Sequence, residues 1–304
     1  MREIILQTKN LSKRYKNFTA LDNADMTVYK GDIYGLVGRN GAGKTTIMKI
    51  LTGLTEKSGG EFEIFSKKGA ELERQKKRIG CLIENPAFFG NLSAYNNLKY
   101  YAIQKGITDH SQIDEALSLV NLKDVKNKKF RKFSLGMKQR LGIAFALLDN
   151  PDLIILDEPI NGLDPIGISE LRETFGRLNR ERGITILISS HILSELYLVA
   201  NRFLFIEQGK IMSEITKEEL DLECMRCKAV KTSDSKLTAA VIEKKLGIDD
   251  YKVIDEKEIR IYDESVSSEV INRTLVTEGI GVSEIYETGI SLEDYFKSLV
   301  GGIQ

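Results

Sequence analysis

Residues 38–45 read Gly38-Arg39-Asn40-Gly41-Ala42-Gly43-Lys44-Thr45, a complete G-x-x-x-x-G-K-[ST] loop. The run before it, Ile33-Tyr34-Gly35-Leu36-Val37, is short and apolar, as a buried strand is. The run after it, from Thr45 through Leu51, opens a helix. In that setting the glycines let backbone N–H groups converge on phosphate oxygens, and the helix N-terminus adds its dipole. Lys44 is placed for the β- and γ-phosphates, and the Thr45 hydroxyl for Mg²⁺. Gly38, Arg39, Asn40, Gly41, Ala42, Gly43, Lys44, Thr45 and Thr46 are therefore the expected nucleotide-binding set. An ordinary glycine turn between strand and helix is outweighed by a full match in this context.

A loop of this kind belongs at the edge of a parallel sheet, and the rest of the chain agrees. Apolar strand patterns alternate with helical ones over residues 1–215, which argues an α/β core. The expected strands are residues 4–8, 24–29, 33–37, 61–64, 79–83, 153–157, 185–189 and 203–207. Residues 86–150 show helical periodicity without a strand and read as a helical insert. Beyond Gly209-Lys210 the pattern resets. Residues 216–304 give strand, helix, two strands, helix, strand and a last helix, the βαββαβ order of a small ferredoxin-like domain.

Composition narrows the class. Lys plus Arg and Asp plus Glu both number 44, so no global pull toward nucleic acid or anionic lipid is expected. The basic run from Lys126 to Lys132 reads as a solvated surface. No apolar run reaches the roughly 18 residues of a spanning helix, and the first residues lack a signal-peptide pattern. A cytoplasmic protein that meets membranes only through a partner is expected. Cys224-Met225-Arg226-Cys227 is a lone C-x-x-C with no further ligands near it, and reads as two reduced thiols.

A second apolar strand, Leu153-Ile154-Ile155-Leu156, ends in Asp157-Glu158. A buried strand ending this way delivers Asp157 to the sheet edge beside the loop, where it can hold Mg²⁺. Glu158 then faces the γ-phosphate side and can take a proton from water. Just upstream, Phe133-Ser134-Leu135-Gly136-Met137-Lys138-Gln139-Arg140 resembles the signature motif of ABC-type ATPases, which reads Leu-Ser-Gly-Gly-Gln in most members. The resemblance extends over residues 1–215 in motif order. Tyr15 stands where the family stacks an aromatic on adenine, and Glu84 stands at the Q-loop position. Gly162-Leu163-Asp164 matches the D-loop, and His191 matches the switch histidine.

The resemblance implies a P-loop NTPase fold, ATP and Mg²⁺ as ligands, and Glu158 and His191 as catalytic residues. It implies Thr45, Glu84 and Asp157 near the metal. Ser134, Leu135, Gly136 and Met137 are then offered to ATP held by a second nucleotide-binding subunit, with a homodimer expected and Asp164 as the D-loop residue. An integral-membrane permease would receive the power stroke, holding the chain peripherally on the inner membrane face. This sequence departs from the family at Glu84, where a glutamine is usual, and at Leu135 and Met137. Ile83-Glu84-Asn85-Pro86 with Phe88-Phe89, and the tail Ser291-Leu292-Glu293-Asp294-Tyr295-Phe296, resemble the bacitracin- and lantibiotic-type exporters. The permease-facing groove is expected near residues 85–95. There Phe88 and Phe89 either meet the partner or pack in the core. An import ATPase with a regulatory C-terminal domain stays open as an alternative. A soluble translation-type ABC ATPase would carry two such loops, a chromosome-maintenance ATPase would carry long heptads, and a non-hydrolysing sensor would lack the acid at Glu158.

Overall fold

The chain opens with two long strands, β1 (Ile4–Tyr15) and β2 (Phe18–Tyr29), paired antiparallel from Ile4↔Tyr29 to Tyr15↔Phe18. The structure is a computed structural model and describes residues 2–84, 87–224, 227–263 and 265–301. Only the outer ends of this hairpin stand out as apolar in sequence. The middle is strand as well because one face of an antiparallel sheet can be solvated. Asn10 and Asn23 absorb register shifts there with φ of 51° and 49°, a region Asn tolerates.

The chain then enters the phosphate-binding region through β3 (Ile33–Val37) and α1 (Lys44–Leu51). β4 (Gly59–Ile64) returns to pair with β1, giving a three-stranded sheet ordered β2-β1-β4. A short α2 (Leu72–Gln75) leads to β5 (Ile79–Leu82). The helical insert holds α3 (Ala94–Gln104), α4 (Ser111–Leu119) and α5 (Leu135–Ala146), and among its described residues there is no strand element. β6 (Leu153–Leu156), α6 (Pro165–Arg182), β7 (Thr185–Ser190), α7 (Leu193–Tyr197), β8 (Arg202–Glu207) and β9 (Lys210–Thr216) complete this part.

The main sheet is ordered β5-β6-β7-β3-β8-β9, parallel except for β9. Every residue of β3, β6 and β7 is buried, as a parallel sheet covered on both faces requires. β9 is a strand that sequence reading missed. Its polar residues suit an edge, and its signal was the two-residue turn Gln208-Gly209, with φ of 47° and 80°. Ile47, Met48, Ile50 and Leu51 of α1 lock into one core with Leu36, Leu153, Ile155, Leu187 and Leu204. Each such side chain contributes about 1.5–3 kcal/mol by leaving water. That core fixes where α1 begins, and so where the phosphate loop ends.

The chain divides into two compact units, the second spanning Glu218–Gly301. α8 (Lys217–Cys224) leads into it. It contains β10 (Cys227–Thr232), α9 (Ser235–Leu246), β11 (Tyr251–Val253), β12 (Glu258–Ile261), α10 (Ser268–Thr277), β13 (Val282–Thr288) and α11 (Leu292–Gly301). The antiparallel order β11-β12-β10-β13 is the ferredoxin-like arrangement expected from βαββαβ. Its core joins Val230, Ile259 and Ile261 of the sheet to Ile242, Ile271 and Leu275 of α9 and α10.

Candidate nucleotide site

β3 ends at the loop because Gly38 passes too close to β8 for any side chain: a Cβ there would lie 2.3 Å from the Ile206 carbonyl oxygen. Gly43, with φ of 115°, is equally constrained, its Cβ falling 2.8 Å from the Ala20 oxygen. Gly43 is also the N-cap of α1 and offers no side-chain cap. The first N–H groups of α1 are thus left for an anion. The Lys44 ammonium is buried and folded back, donating to the carbonyls of Gly38 at 2.6 Å and Arg39 at 3.2 Å. A cleft of about 280 Å³ runs over this loop, lined by Tyr15, Phe18, Ala20, residues 39–46 and Glu158. Tyr15 and Phe18 are both exposed at its rim.

Beneath the cleft, β6 and β7 deliver the acids. The Thr45 hydroxyl donates to Asp157 Oδ2 at 2.8 Å, and the Ser189 hydroxyl donates to Asp157 Oδ1 at 2.6 Å. Ser189 Oγ in turn accepts the Glu158 backbone N–H at 2.9 Å. Glu158 itself has φ of 47°, which turns its side chain off the strand axis. Its Oε1 lies 3.2 Å from Lys44 Nζ, an ion-pair contact, and its Oε2 lies 2.8 Å from His191 Nδ1. A carboxylate only accepts, so Nδ1 donates there. The hydroxyl of Thr45 and the carboxylate of Asp157 are hard oxygen donors of the kind Mg²⁺ prefers, and the backbone cradle fits a phosphate. Among the described residues no three of His, Cys, Asp or Glu are placed to hold a metal ion together, so a metal at this site would lean on phosphate and water oxygens.

Ser134 caps α5, accepting the Met137 N–H at 3.3 Å, and Leu135 is exposed behind it. Asp164 caps α6 in the same way through the Gly167 N–H at 2.8 Å, with Pro165 as the first helical residue. The two caps are neighbours: a Cβ on Gly162 would lie 3.1 Å from Leu135 Cδ2, and one on Gly136 3.7 Å from Leu163 Cδ2. None of Ser134, Leu135, Gly136 or Met137 lines the described cleft over Lys44.

Residues 21–161 match the family model described as ABC transporter. The chain is 42% identical over 301 residues to the bacitracin transport ATP-binding protein BcrA of Enterococcus faecalis, covering 99% of this chain and 97% of that one. The chain belongs to the ABC transporter family. It is also 49% identical over 211 residues to the lantibiotic transport ATP-binding protein SrtF of Streptococcus pyogenes, covering 69% of this chain and 90% of the relative. Among solved structures, a dimeric post-hydrolysis state of the ATP-binding cassette MJ0796, bound to ADP and Pi, superposes with a TM-score of 0.63. It shares 26% identity and covers 70% of this chain and 99% of that one.

In this ABC cassette most of the residues expected from sequence converge. Lys44, Thr45, Asp157, Glu158 and His191 form one connected set, joined through the Ser189 hydroxyl. Glu84 does not join it. With φ of 63°, it turns its carboxylate to Lys49 of α1, Oε1 to Nζ 2.5 Å. That hydrogen bond is the main cause holding the Lys49 ammonium above its ordinary range, with smaller help from the charges of Tyr15 and Asp157. The residues that sequence reasoning missed are Ser189, Lys49 and Phe18. Ser189 carried one signal, a hydroxyl directly after the apolar run Ile186-Leu187-Ile188. Lys49 carried none beyond lying one turn after Thr45.

The aromatic pair at the insert separates. Phe88 packs edge-on against Tyr101, Phe130 and Phe145, inside the insert. Phe89 stays exposed against an equally exposed Tyr100, with Ile103 a turn further along α3. Asn85 and Pro86 lie outside the described residues. So do Met225 and Arg226, which separate the two cysteines. The Cys224 thiol is pushed up to about 11, first by burial and then by Asp221 and Glu223.

Proposed function

We propose that this chain hydrolyses ATP as a homodimer and drives a separate membrane permease that exports peptide antibiotics of the bacitracin or lantibiotic kind. The observation that carries the catalytic part is Glu158, which touches Lys44 with one carboxylate oxygen and His191 with the other. The cargo class rests on the near full-length likeness to a bacitracin transport protein.

Lys44 would exchange two loop carbonyls for phosphate oxygens, a stronger charge-assisted set. That exchange frees Glu158, which then accepts the proton of the attacking water, while His191 holds the carboxylate in line. Thr45 and Asp157 would hold Mg²⁺, which supplies neutralisation of the phosphate charge. The α5 N-terminus at Ser134 is an anion site with no phosphate loop of its own chain beside it. A second copy would bring one, closing ATP between P-loop and signature so that ligand favours the paired state. No helix of the described residues is long and apolar enough to cross a membrane, so attachment to the membrane's inner face passes through the permease. The exposed group Phe89, Tyr100 and Ile103 is the surface offered to it.

Co-expression with candidate permeases, followed by ATPase assays in proteoliposomes, tests this reading. Stimulation by bacitracin or a lantibiotic is expected. Hydrolysis that no peptide antibiotic stimulates, with a permease bound, would remove the cargo assignment.

A further inference from the structure

Glu84 brings an extra negative charge to the position where the family's Q-loop glutamine stands. A bare carboxylate there would repel the phosphates of incoming ATP. The structure shows where that carboxylate goes instead. Lys49 stands on α1 one turn after Thr45, so both side chains leave the same face of the helix. Thr45 donates to Asp157 at 2.8 Å, and Lys49 holds Glu84 at 2.5 Å. One helix face thus carries both the hydroxyl proposed for the metal and the cation that diverts the third proposed metal residue. Glu84 is more than half exposed and has left-handed backbone geometry. Among the described residues its carboxylate has no protein partner but Lys49.

We infer that Lys49 is a positioning residue whose ion pair with Glu84 is a latch, closed in this structure and released when metal and nucleotide load. Glu84 then passes from the ammonium to the metal–phosphate centre. This rests on the proposed role of Glu84 near Mg²⁺ and goes beyond it by naming the residue that competes. The latch makes a testable demand that a simple surface charge does not. A fixed cation near the phosphates shifts metal binding by the same factor whatever residue 84 is. A latch acts only through Glu84.

The test uses the full chain and a fluorescent ATP analogue, titrated with Mg²⁺ and separately in EDTA, with no reliance on hydrolysis. Lys49→Gln, Glu84→Gln, the double variant and Lys49→Arg are compared. Lys49→Gln should lower the Mg²⁺ midpoint about fivefold when Glu84 is present, the upper scale of an exposed ion pair. In the Glu84→Gln background the same change should move it less than about twofold, and Lys49→Arg should stay near the parent. Equal shifts in both backgrounds, or no shift in either, overturn the latch. Coupling that appears as fully in EDTA keeps the latch and takes Glu84 away from the metal, because the pair is then answering to phosphate alone.

Discussion

His191 Nδ1 lies 2.8 Å from Glu158 Oε2. The same carboxylate reaches Lys44 Nζ at 3.2 Å with its other oxygen, so one side chain links the lysine proposed to bind phosphate to the histidine proposed as the switch. Glu158 thus has a cation on one side and the imidazole ring on the other. In the proposed mechanism, moving Lys44 onto phosphate would leave the His191 contact in place and free Glu158 Oε1. In that mechanism the single displacement would couple binding to chemistry.

Glu158→Gln should separate the two. The amide retains the shape and can still meet His191, but it cannot accept a proton from water. Turnover should fall by about 10²–10⁴-fold, the usual worth of a general base. ATP affinity should hold or rise, since Lys44 loses its competing carboxylate. Steady-state phosphate release and equilibrium binding measure the two effects, and a dimer trapped with ATP should appear in size-exclusion chromatography. Near-normal phosphate release would take Glu158 out of the base role.

Ser189 supplies a prediction that the motif order alone would not have suggested. Its hydroxyl satisfies Asp157 Oδ1 and the Glu158 N–H together, in a fully buried position. Ser189→Ala leaves both without that partner, at a cost of about 1–3 kcal/mol. Denaturant unfolding should show that loss. Turnover should drop about tenfold because both acids lose their positions, again a buried hydrogen bond's worth. A fully stable variant with full activity would mean the serine is incidental.

What the sequence discloses and what it hides divide along a physical line. The loop at Gly38–Thr45, the bounds of β3, α9 and β13, and the ferredoxin-like order are legible because each is written in consecutive residues: glycine spacing, period 2 or period 3.6. β9 was hidden because an edge strand needs no continuous apolar run. Phe88 and Phe89 could not be told apart because adjacent residues point to different sides, and only packing against Tyr101 and Phe145 decides which one turns inward. The Lys49–Glu84 and Ser189–Asp157 pairs join residues over 30 positions apart. No local pattern records such a pair; the sheet order creates it.

The signature helix should act on a neighbour's nucleotide. Ser134 caps α5 and is absent from its own chain's described cleft, so a Ser134-defective subunit still has an intact P-loop. Paired with a Lys44-defective subunit in a crosslinked heterodimer, it should assemble one complete site. Roughly half the parental ATPase activity or less is the expected ceiling, whereas each homodimer should be inactive. Mixed dimers as silent as the homodimers would leave the trans arrangement without support. The measurement is phosphate release from affinity-purified heterodimers carrying two different tags.

The second unit should be dispensable for nucleotide binding, provided the cut respects β9. That strand pairs with β8 from Glu207↔Lys210 to Arg202↔Thr216, and Lys217 closes it by donating its N–H to Asn201 and its ammonium to the Tyr197 carbonyl, both at 3.0 Å. A chain ending at Lys217 keeps all of these bonds and every residue lining the cleft. Its ATP affinity should lie within about threefold of the parent, a difference under 1 kcal/mol. Self-association should weaken if the ferredoxin-like unit steadies the dimer, as sheet edges and helix faces can. A chain ending at Gly209 instead strips the edge from β8, whose Phe203 and Phe205 are fully buried, and should aggregate. Circular dichroism establishes folding, and analogue binding with sedimentation then reads affinity and assembly. Should the Lys217 truncation fold yet lose its nucleotide affinity, the second unit belongs to the binding machinery after all.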